Sequence, residues 1–148
     1  MSTTTVYVAA AYGERRRAEV WAEHLRSSGF AISSVWHAPR ANPTNPTNRD
    51  ELDMSDEERC VILRANLADL ARADVALVLG FAGTPRATWG EAAFAIACGK
   101  PVVFVHRGSA GRVIWDSHPK AARVEIAAGW EMPRLGVLTR TIEKAVGL

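Results

Sequence analysis

Short apolar runs alternate along the chain with stretches of helical periodicity. The apolar runs predict buried strands at residues 4–10, 30–36, 74–80 and 101–106, with a short fifth strand at 123–127. The periodic stretches predict helices at residues 14–28, 55–72, 91–99 and 133–146. Strands that alternate with helices are typical of an α/β fold, here expected as a single domain over residues 1–148. We expect a doubly wound, mostly parallel five-stranded sheet with helices on both faces, as in Rossmann and flavodoxin-like folds.

Local signals mark a long loop before the second helix. Residues 37–53 hold three prolines and three asparagines, which disfavours regular structure. Ser55, followed three residues later by Glu58, forms a capping box that predicts a helix start. Loops this long in a small domain are usually functional or disordered, so this loop is a candidate cover for a ligand.

Composition and charge narrow the class of partner. The net charge is only +2 and the arginines are spread along the chain, so neither a nucleic acid polymer nor a membrane surface is expected. Membrane-helix and signal-peptide patterns are both absent, which makes the cytoplasm the expected compartment. Cys60 and Cys98 lack metal-type spacing and the four histidines are scattered, so we predict no metal site. Walker and dinucleotide-binding sequences are also missing, and no cofactor is predicted.

Glu91 is the most informative residue for chemistry. It is the only acidic residue between Asp74 and Asp116, and the pattern places it at the start of a short apolar helix. There the helix dipole would keep the carboxylate ionised, at a sheet edge where α/β folds bind ligands. Trp89 and Gly90 add a flat apolar surface and a close backbone approach, which suit a glycosyl-transferring site. The alternative is an acid that merely complements the dipole and contributes less than about 1 kcal/mol.

Further candidates lie on the first strand and just after it. Tyr7 can reach a carboxylate at the tip of the neighbouring strand, although a strand tyrosine is more often a core residue. Tyr12 lies in the following loop. Residues 13–17, which include Arg15, begin the first helix and offer backbone amides and guanidinium groups to a phosphate. Arginines on a solvated face are the competing interpretation of that segment.

These segments together resemble the nucleoside 2-deoxyribosyltransferase-like family. Residues 6–10 look like the family's opening strand with its active-site tyrosine. Residues 66–79 are similar to its helix-to-strand stretch with Ala-Asp before an apolar run. Residues 90–102 are similar to the stretch in which a glutamate nucleophile precedes Gly-Lys-Pro. Residues 112–115 with His118 and Pro119 also look like a late segment of small relatives, whereas the loop at 38–53 matches nothing in the family.

The resemblance implies specific roles. Glu91 would attack the C1′ carbon and hold a covalent glycosyl intermediate, and Tyr7 would orient the carboxylate. Asn66 stands where the family has an acid that supports proton transfer to the base, and an amide cannot supply that proton. Asp69 lies three residues later on the same helix face and is the candidate substitute, provided that the helix is rotated relative to the family. A homodimer or higher homo-oligomer is also implied.

The leading hypothesis is an enzyme that cleaves or exchanges the N-glycosidic bond of a nucleoside or nucleoside 5′-monophosphate. The catalytic candidates are Glu91, Tyr7 and Asp69, and the candidates for substrate binding are Asn66, Trp89, Gly90, Tyr12 and Arg15. A nucleotide-binding sensor without catalysis is one alternative, favoured by Asn66 in place of the acid. An NAD-cleaving domain is another, since that bond is also N-glycosidic. The base, the sugar, any 5′-phosphate and the choice between transfer and hydrolysis stay open.

Overall fold

The computed structural model describes residues 3–38, 45, 49–80, 86–107, 118–126 and 135–147. Within these ranges the strands are β1 (Thr5–Ala9), β2 (Ala31–Ile32), β3 (Val75–Gly80), β4 (Val102–Arg107) and β5 (Ala121–Ile126). The α-helices are α1 (Arg15–Ser27), α2 (Asp56–Arg72), α3 (Arg86–Ala97) and α4 (Leu135–Val146). Single 3₁₀ turns at Tyr12–Glu14 and Glu51–Asp53 precede α1 and α2.

The five strands form one sheet in the order β2-β1-β3-β4-β5, and every neighbouring pair is parallel. The predicted α/β fold with a five-stranded parallel sheet is therefore confirmed. Central strand β3 is buried from Val75 to Leu79, because helices cover both faces of the sheet. The chain winds outward in opposite directions from β1 and β3. The carboxyl ends of these two strands consequently flank a crevice at the topological switch point.

The helices are held to the sheet by their apolar sides. In α1 the buried residues are Ala18, Trp21, Ala22 and Leu25, which recur at helical spacing. Helices α2 and α3 contact each other, and α4 contacts β3, β4 and β5. Right-handed connections between parallel strands place α1 and α2 on opposite faces, since the chain moves in opposite directions across the sheet. None of the helices in the described part of the chain is both long and apolar enough to cross a membrane.

Several element boundaries differ from the sequence prediction. Strand β2 has two residues rather than the seven of 30–36, because the backbone after Ser33 leaves the sheet and its side chains bond to β1 and α1 instead. Helix α3 begins at Arg86, not Glu91, and β5 begins at Ala121, two residues before its predicted start. Some predicted features lie outside the described residues. They are the end of the fifth strand at residue 127, the start of the last helix at residue 133, the segment 112–115 and most of the loop at 37–53.

Candidate active site

A cavity of about 400 Å³ opens at the carboxyl end of β1, at the switch point of the sheet. Its walls come from the segment after β1, the long loop before α2, and the facing sides of α2 and α3. The described polar residues that line it are Tyr12, Asn45, Arg49, Arg59, Asn66, Thr88 and Glu91. The larger apolar ones are Trp36, Met54, Ile62, Leu63, Leu67 and Phe94. The cavity thus combines apolar walls with converging polar groups, as small-molecule sites do.

Glu91 reaches this cavity from α3 and is held by groups from two other elements. The Tyr7 hydroxyl on β1 donates a hydrogen bond to Glu91 Oε1 at 2.8 Å. The side chain of Asn66 on α2 also hydrogen-bonds the Glu91 carboxyl. Residues 7, 66 and 91 are far apart in the sequence, so the fold itself assembles this trio.

Burial raises the pKa of Glu91 to about 7, although the hydrogen bonds from Tyr7 and Asn66 oppose the shift by stabilising the carboxylate. The prediction that Glu91 opens its helix is wrong. It is the sixth residue of α3, beyond the first turn in which the helix dipole acts strongly. The environment of Glu91 therefore opposes ionisation, whereas a position at the helix start would have favoured it through the helix dipole.

Tyr7 is a fully buried residue in the middle of β1. Its pKa is raised far above the usual value, first by burial and then by the adjacent Glu91 carboxylate. The phenol therefore stays protonated and acts as a permanent hydrogen-bond donor. Its position follows from the β1–β3 pairing, in which Tyr7 lies opposite Ala76.

Asp69 does not join the trio. Its Oδ1 pairs with Arg72, the backbone amide of Val35 hydrogen-bonds its carboxylate, and Asp69 is absent from the described cavity lining. Burial raises the pKa of Asp69 despite the opposing ion pair with Arg72. The expected rotation of α2 that would present Asp69 to a ligand is not seen, because Asn66 already faces the cavity.

Trp89 and Gly90, both predicted to bind substrate, have different positions. The Trp89 ring packs near Phe104 of β4, with centroids 6.1 Å apart, and is not among the described lining residues. Residues two apart on a helix point to nearly opposite sides, so Glu91 and Trp89 cannot both face the cavity. Gly90 does line the cavity, and a Cβ added there would meet no atom within 4 Å.

Tyr12 and Arg15 lie side by side, but only Tyr12 faces the cavity. Tyr12 lines the cavity, and its hydroxyl accepts a hydrogen bond from Asn45 Nδ2 at 2.8 Å. Burial raises the pKa of Tyr12, and the nearby Arg15 opposes this shift. The Arg15 guanidinium carbon lies 5.3 Å from the centroid of the Tyr12 ring, outside the cavity lining. Arg15 can therefore support a wall residue but does not itself face the cavity.

Sequence reasoning missed most of the other lining residues. Phe94 carried a usable signal, since it lies three residues after Glu91 and shares its helix face. Asn45, Arg49 and Met54 fall in or beside the long loop, where no periodicity places a side chain. Among the residues that the structure describes, no group of three or more His, Cys, Asp or Glu side chains is arranged to hold a metal ion.

Comparisons with known proteins bear on the fold. No protein-family model matches the sequence, and no curated protein matches it. The structure of the CMP N-glycosidase BcmB of Clostridium botulinum aligns with a TM-score of 0.61 at 17% identity, over 93% of this chain and 98% of that chain. The 2-deoxyribosyltransferase of Bacillus psychrosaccharolyticus aligns with a TM-score of 0.52 at 22% identity, over 75% of this chain and 77% of that chain. These similarities confirm the fold that the resemblance implied.

Proposed function

We propose that this chain cleaves or exchanges the N-glycosidic bond of a nucleoside or nucleoside 5′-monophosphate, with Glu91 as the nucleophile. The observation that carries the proposal is the Tyr7 hydroxyl 2.8 Å from Glu91 Oε1, beside a cavity at the switch point of the sheet. Two enzymes of the same fold, a CMP N-glycosidase and a 2-deoxyribosyltransferase, support it.

The proposed reaction has two displacement steps. Tyr7 holds Oε1, so Oε2 of the Glu91 carboxylate forms a bond to C1′ while the C1′–N bond breaks and its electron pair goes to the base. Water, or a second base in the exchange reaction, then attacks C1′ and releases the carboxylate. Only ionised Glu91 can attack, so a pKa of about 7 makes the reactive fraction depend on pH in the neutral range.

Asn66 has a different role in this scheme from the acid that it replaces. Its amide holds the Glu91 carboxyl and lies on the cavity wall, where it can also hydrogen-bond a base. Glu91 is the only carboxylate among the cavity-lining residues that the structure describes. The leaving base is therefore expected to gain hydrogen-bond support here and to take its proton from solvent.

Two guanidinium groups on the cavity wall suit a 5′-phosphate. Arg49 pairs with Glu58, while Arg59 lies 3.3 Å from Asp56 and donates to the Met54 carbonyl at 2.9 Å, so both groups are held in place. Guanidinium groups bind phosphate through paired N–H donors. We therefore expect a nucleoside 5′-monophosphate to be a better substrate than the nucleoside.

Chromatography of free base tests the proposal. Deoxy- and ribonucleosides, each with and without a 5′-phosphate, are incubated with the wild-type protein and with the Glu91→Ala variant. We expect the wild type to release base and the Glu91→Ala variant not to do so. Adding a second base to the mixture reveals exchange. No release from any substrate by a folded protein would contradict the proposal. Tight nucleotide binding without turnover would instead indicate a sensor, and nicotinamide release from NAD would indicate a glycohydrolase of that class.

We also propose that a second copy of the chain packs against α2 at the open side of the cavity. Leu63 lines the cavity and is 54% exposed, so a large apolar side chain is open to a partner there. Exposed apolar surface beside a binding site is typical of association surfaces. Sedimentation velocity should show a dimer or larger species for the wild type and a monomer for Leu63→Glu. A wild-type monomer at micromolar concentration would contradict this part of the proposal.

A further inference from the structure

Residues 34–37, which follow β2, are tied to three different elements of the fold. Ser34 Oγ accepts a hydrogen bond from the Val8 amide of β1 at 3.1 Å, and the Trp36 indole Nε1 donates to the Val8 carbonyl at 2.7 Å. The Val35 amide hydrogen-bonds Asp69 on α2. His37 Nδ1 lies 2.5 Å from Glu19 Oε2 on α1. Every residue of this short segment is thus anchored, although the segment belongs to no helix or strand.

A chain of hydrogen bonds, buried except at its Glu19 end, connects Glu19, His37 and Ser34. Ser34 Oγ lies 2.8 Å from His37 Nε2 and already accepts from Val8, so its hydroxyl proton points to the ring. Burial lowers the pKa of His37, although its contact with Glu19 opposes the shift, so the ring is neutral near pH 7. The remaining ring proton is then on Nδ1 and faces the Glu19 carboxylate. The polar atoms of this chain satisfy one another in a single arrangement.

The Ser–His–Glu order resembles that of serine hydrolases, but its surroundings exclude that chemistry. Ser34 and His37 are each 1% exposed, and neither is among the described residues that line the cavity. A nucleophile that substrate cannot reach cannot react. The chain of hydrogen bonds therefore needs another explanation, and the neighbouring Trp36 offers one.

Trp36 lies between Ser34 and His37 and forms part of the cavity wall. Its ring meets the His37 ring edge-on, with centroids 5.3 Å apart and planes at 84°. Its indole is fixed at one end by Val8 and flanked at the other by His37, which Glu19 holds. The position of this wall therefore depends on a carboxylate of α1 that does not face the cavity.

We propose that Glu19 and His37 are positioning residues that hold Trp36 as a rigid wall of the binding cavity and so set substrate affinity. The proposal rests on the proposed function, in which the cavity receives a nucleoside or its monophosphate. The wall acts on the bound molecule as a whole, whereas Tyr7 and Asn66 act on the nucleophile. Loss of the anchor should therefore raise KM and leave the chemical step nearly unchanged.

Helix α1 offers a matched pair of variants. Glu19 and Glu23 both pair with Arg26, at 2.9 and 3.1 Å, but of the two only Glu19 holds His37. We expect Glu19→Ala to raise KM roughly fivefold while kcat changes less than about twofold. Glu23→Ala should leave both constants near their wild-type values. Glu19→Gln keeps an oxygen acceptor for His37 Nδ1 and should restore most of the affinity.

A second measurement follows the wall directly. The chain has five tryptophans, so ¹⁵N-labelled protein gives up to five indole N–H signals, and Trp36→Phe identifies the one from residue 36. In Glu19→Ala this signal should shift or broaden, and in Glu23→Ala it should not. An unmoved signal in Glu19→Ala together with an unchanged KM would overturn the proposal. If no substrate is turned over by the wild type, the proposed function fails while the indole signal still decides whether Glu19 positions Trp36.

Discussion

Two glutamates of this chain, Glu58 and Glu91, lie at different places in their helices and have pKa values shifted in opposite directions. Glu58 lies in the first turn of α2, where Oε2 accepts from the Ser55 amide at 2.8 Å and the Glu58 amide donates to Ser55 Oγ at 3.2 Å. These backbone and Arg49 contacts lower the pKa of Glu58. Glu91 lies in the second turn of α3, and burial raises its pKa to about 7. The start of α2 thus stabilises the charged form of Glu58, whereas the buried interior of α3 disfavours the charged form of Glu91.

The difference separates an acid with a structural role from an acid whose environment suits a reaction. The Glu58 carboxylate accepts a hydrogen bond from the backbone at the start of its own helix, so its charge stabilises the fold. Glu91 receives hydrogen bonds from Tyr7 and Asn66, which orient its carboxyl but do not remove the cost of burial. A group kept near its pKa by burial is poised to change its protonation or to react. The comparison can be tested by changing one glutamate at a time.

The largest expected effect is on turnover. Glu91→Gln removes the oxygen anion that attacks in the proposed reaction and should lower kcat for base release by about a thousandfold or more. Glu58→Gln retains the side-chain oxygen of the capping box and should keep kcat within a few-fold of the wild type. Initial rates with the best substrate from the nucleotide panel provide the measurement. Comparable losses in the two variants would show that Glu91 has no special chemical role.

The next effect concerns pH. In the proposed reaction Glu91 must be ionised to attack. Since burial raises its pKa to about 7, kcat/KM should fall about tenfold per unit as the pH drops below 7. Glu58→Gln should show the same profile, since the lowered pKa of Glu58 keeps that residue ionised over this range. Rates between pH 5 and 8.5 give the profile. A flat profile for the wild type would contradict the assignment of Glu91.

A smaller effect isolates the contribution of Tyr7. Tyr7→Phe removes a hydrogen bond that stabilises the carboxylate, so the pKa of Glu91 should rise and the acid limb of the profile should move to higher pH. The loss of activity should therefore be greater at pH 6 than at pH 8.5. Tyr12→Phe alters the cavity wall instead and should leave the midpoint in place. A midpoint that moves to lower pH in Tyr7→Phe would refute this role.

The two glutamates should also affect stability with opposite signs. Glu91 has a folded-state pKa of about 7 against an ordinary value of 4.5, so its burial costs stability as the pH rises through this window. Glu91→Gln should therefore raise the free energy of unfolding by about 1–3 kcal/mol at pH 8, and most of the gain should vanish at pH 5. The pKa of Glu58 is lowered, so its contribution is present above the ordinary value and is lost as the pH falls. Glu58→Ala should accordingly destabilise the protein at pH 8. Urea unfolding at both pH values measures these differences, and destabilisation by Glu91→Gln at pH 8 would contradict the account.

The sequence predicted the sheet and its helices because their signals are local. The capping box of Ser55 and Glu58 and the apolar run at 75–79 each depend on a few adjacent residues. Strand β2 was overpredicted because its apolar pattern continues after the backbone has turned toward Val8. Propensity cannot report that tertiary hydrogen bonds replace a strand ladder.

The site was predicted less completely, for a related reason. The resemblance identified Glu91 and Tyr7, which the structure brings within hydrogen-bond distance. Placing the start of α3 at Glu91 instead of Arg86 made Trp89 look like a wall residue, and the helical phase turns that ring toward β4. Among the described residues, the tryptophan that lines the cavity is Trp36, which the sequence placed at the end of a strand rather than in a segment that hydrogen-bonds to Val8.

Gly90 gives this molecule an unusual point of control. A glycine inside a helix costs roughly 0.5–1 kcal/mol relative to alanine, yet position 90 lies next to Glu91 with empty space where a side chain would begin. A methyl group at this position would strengthen the helix and reduce the volume of the cavity, without replacing any reactive group. Side chains of increasing size at residue 90 would therefore adapt the cavity to smaller or modified ligands in steps of one carbon atom.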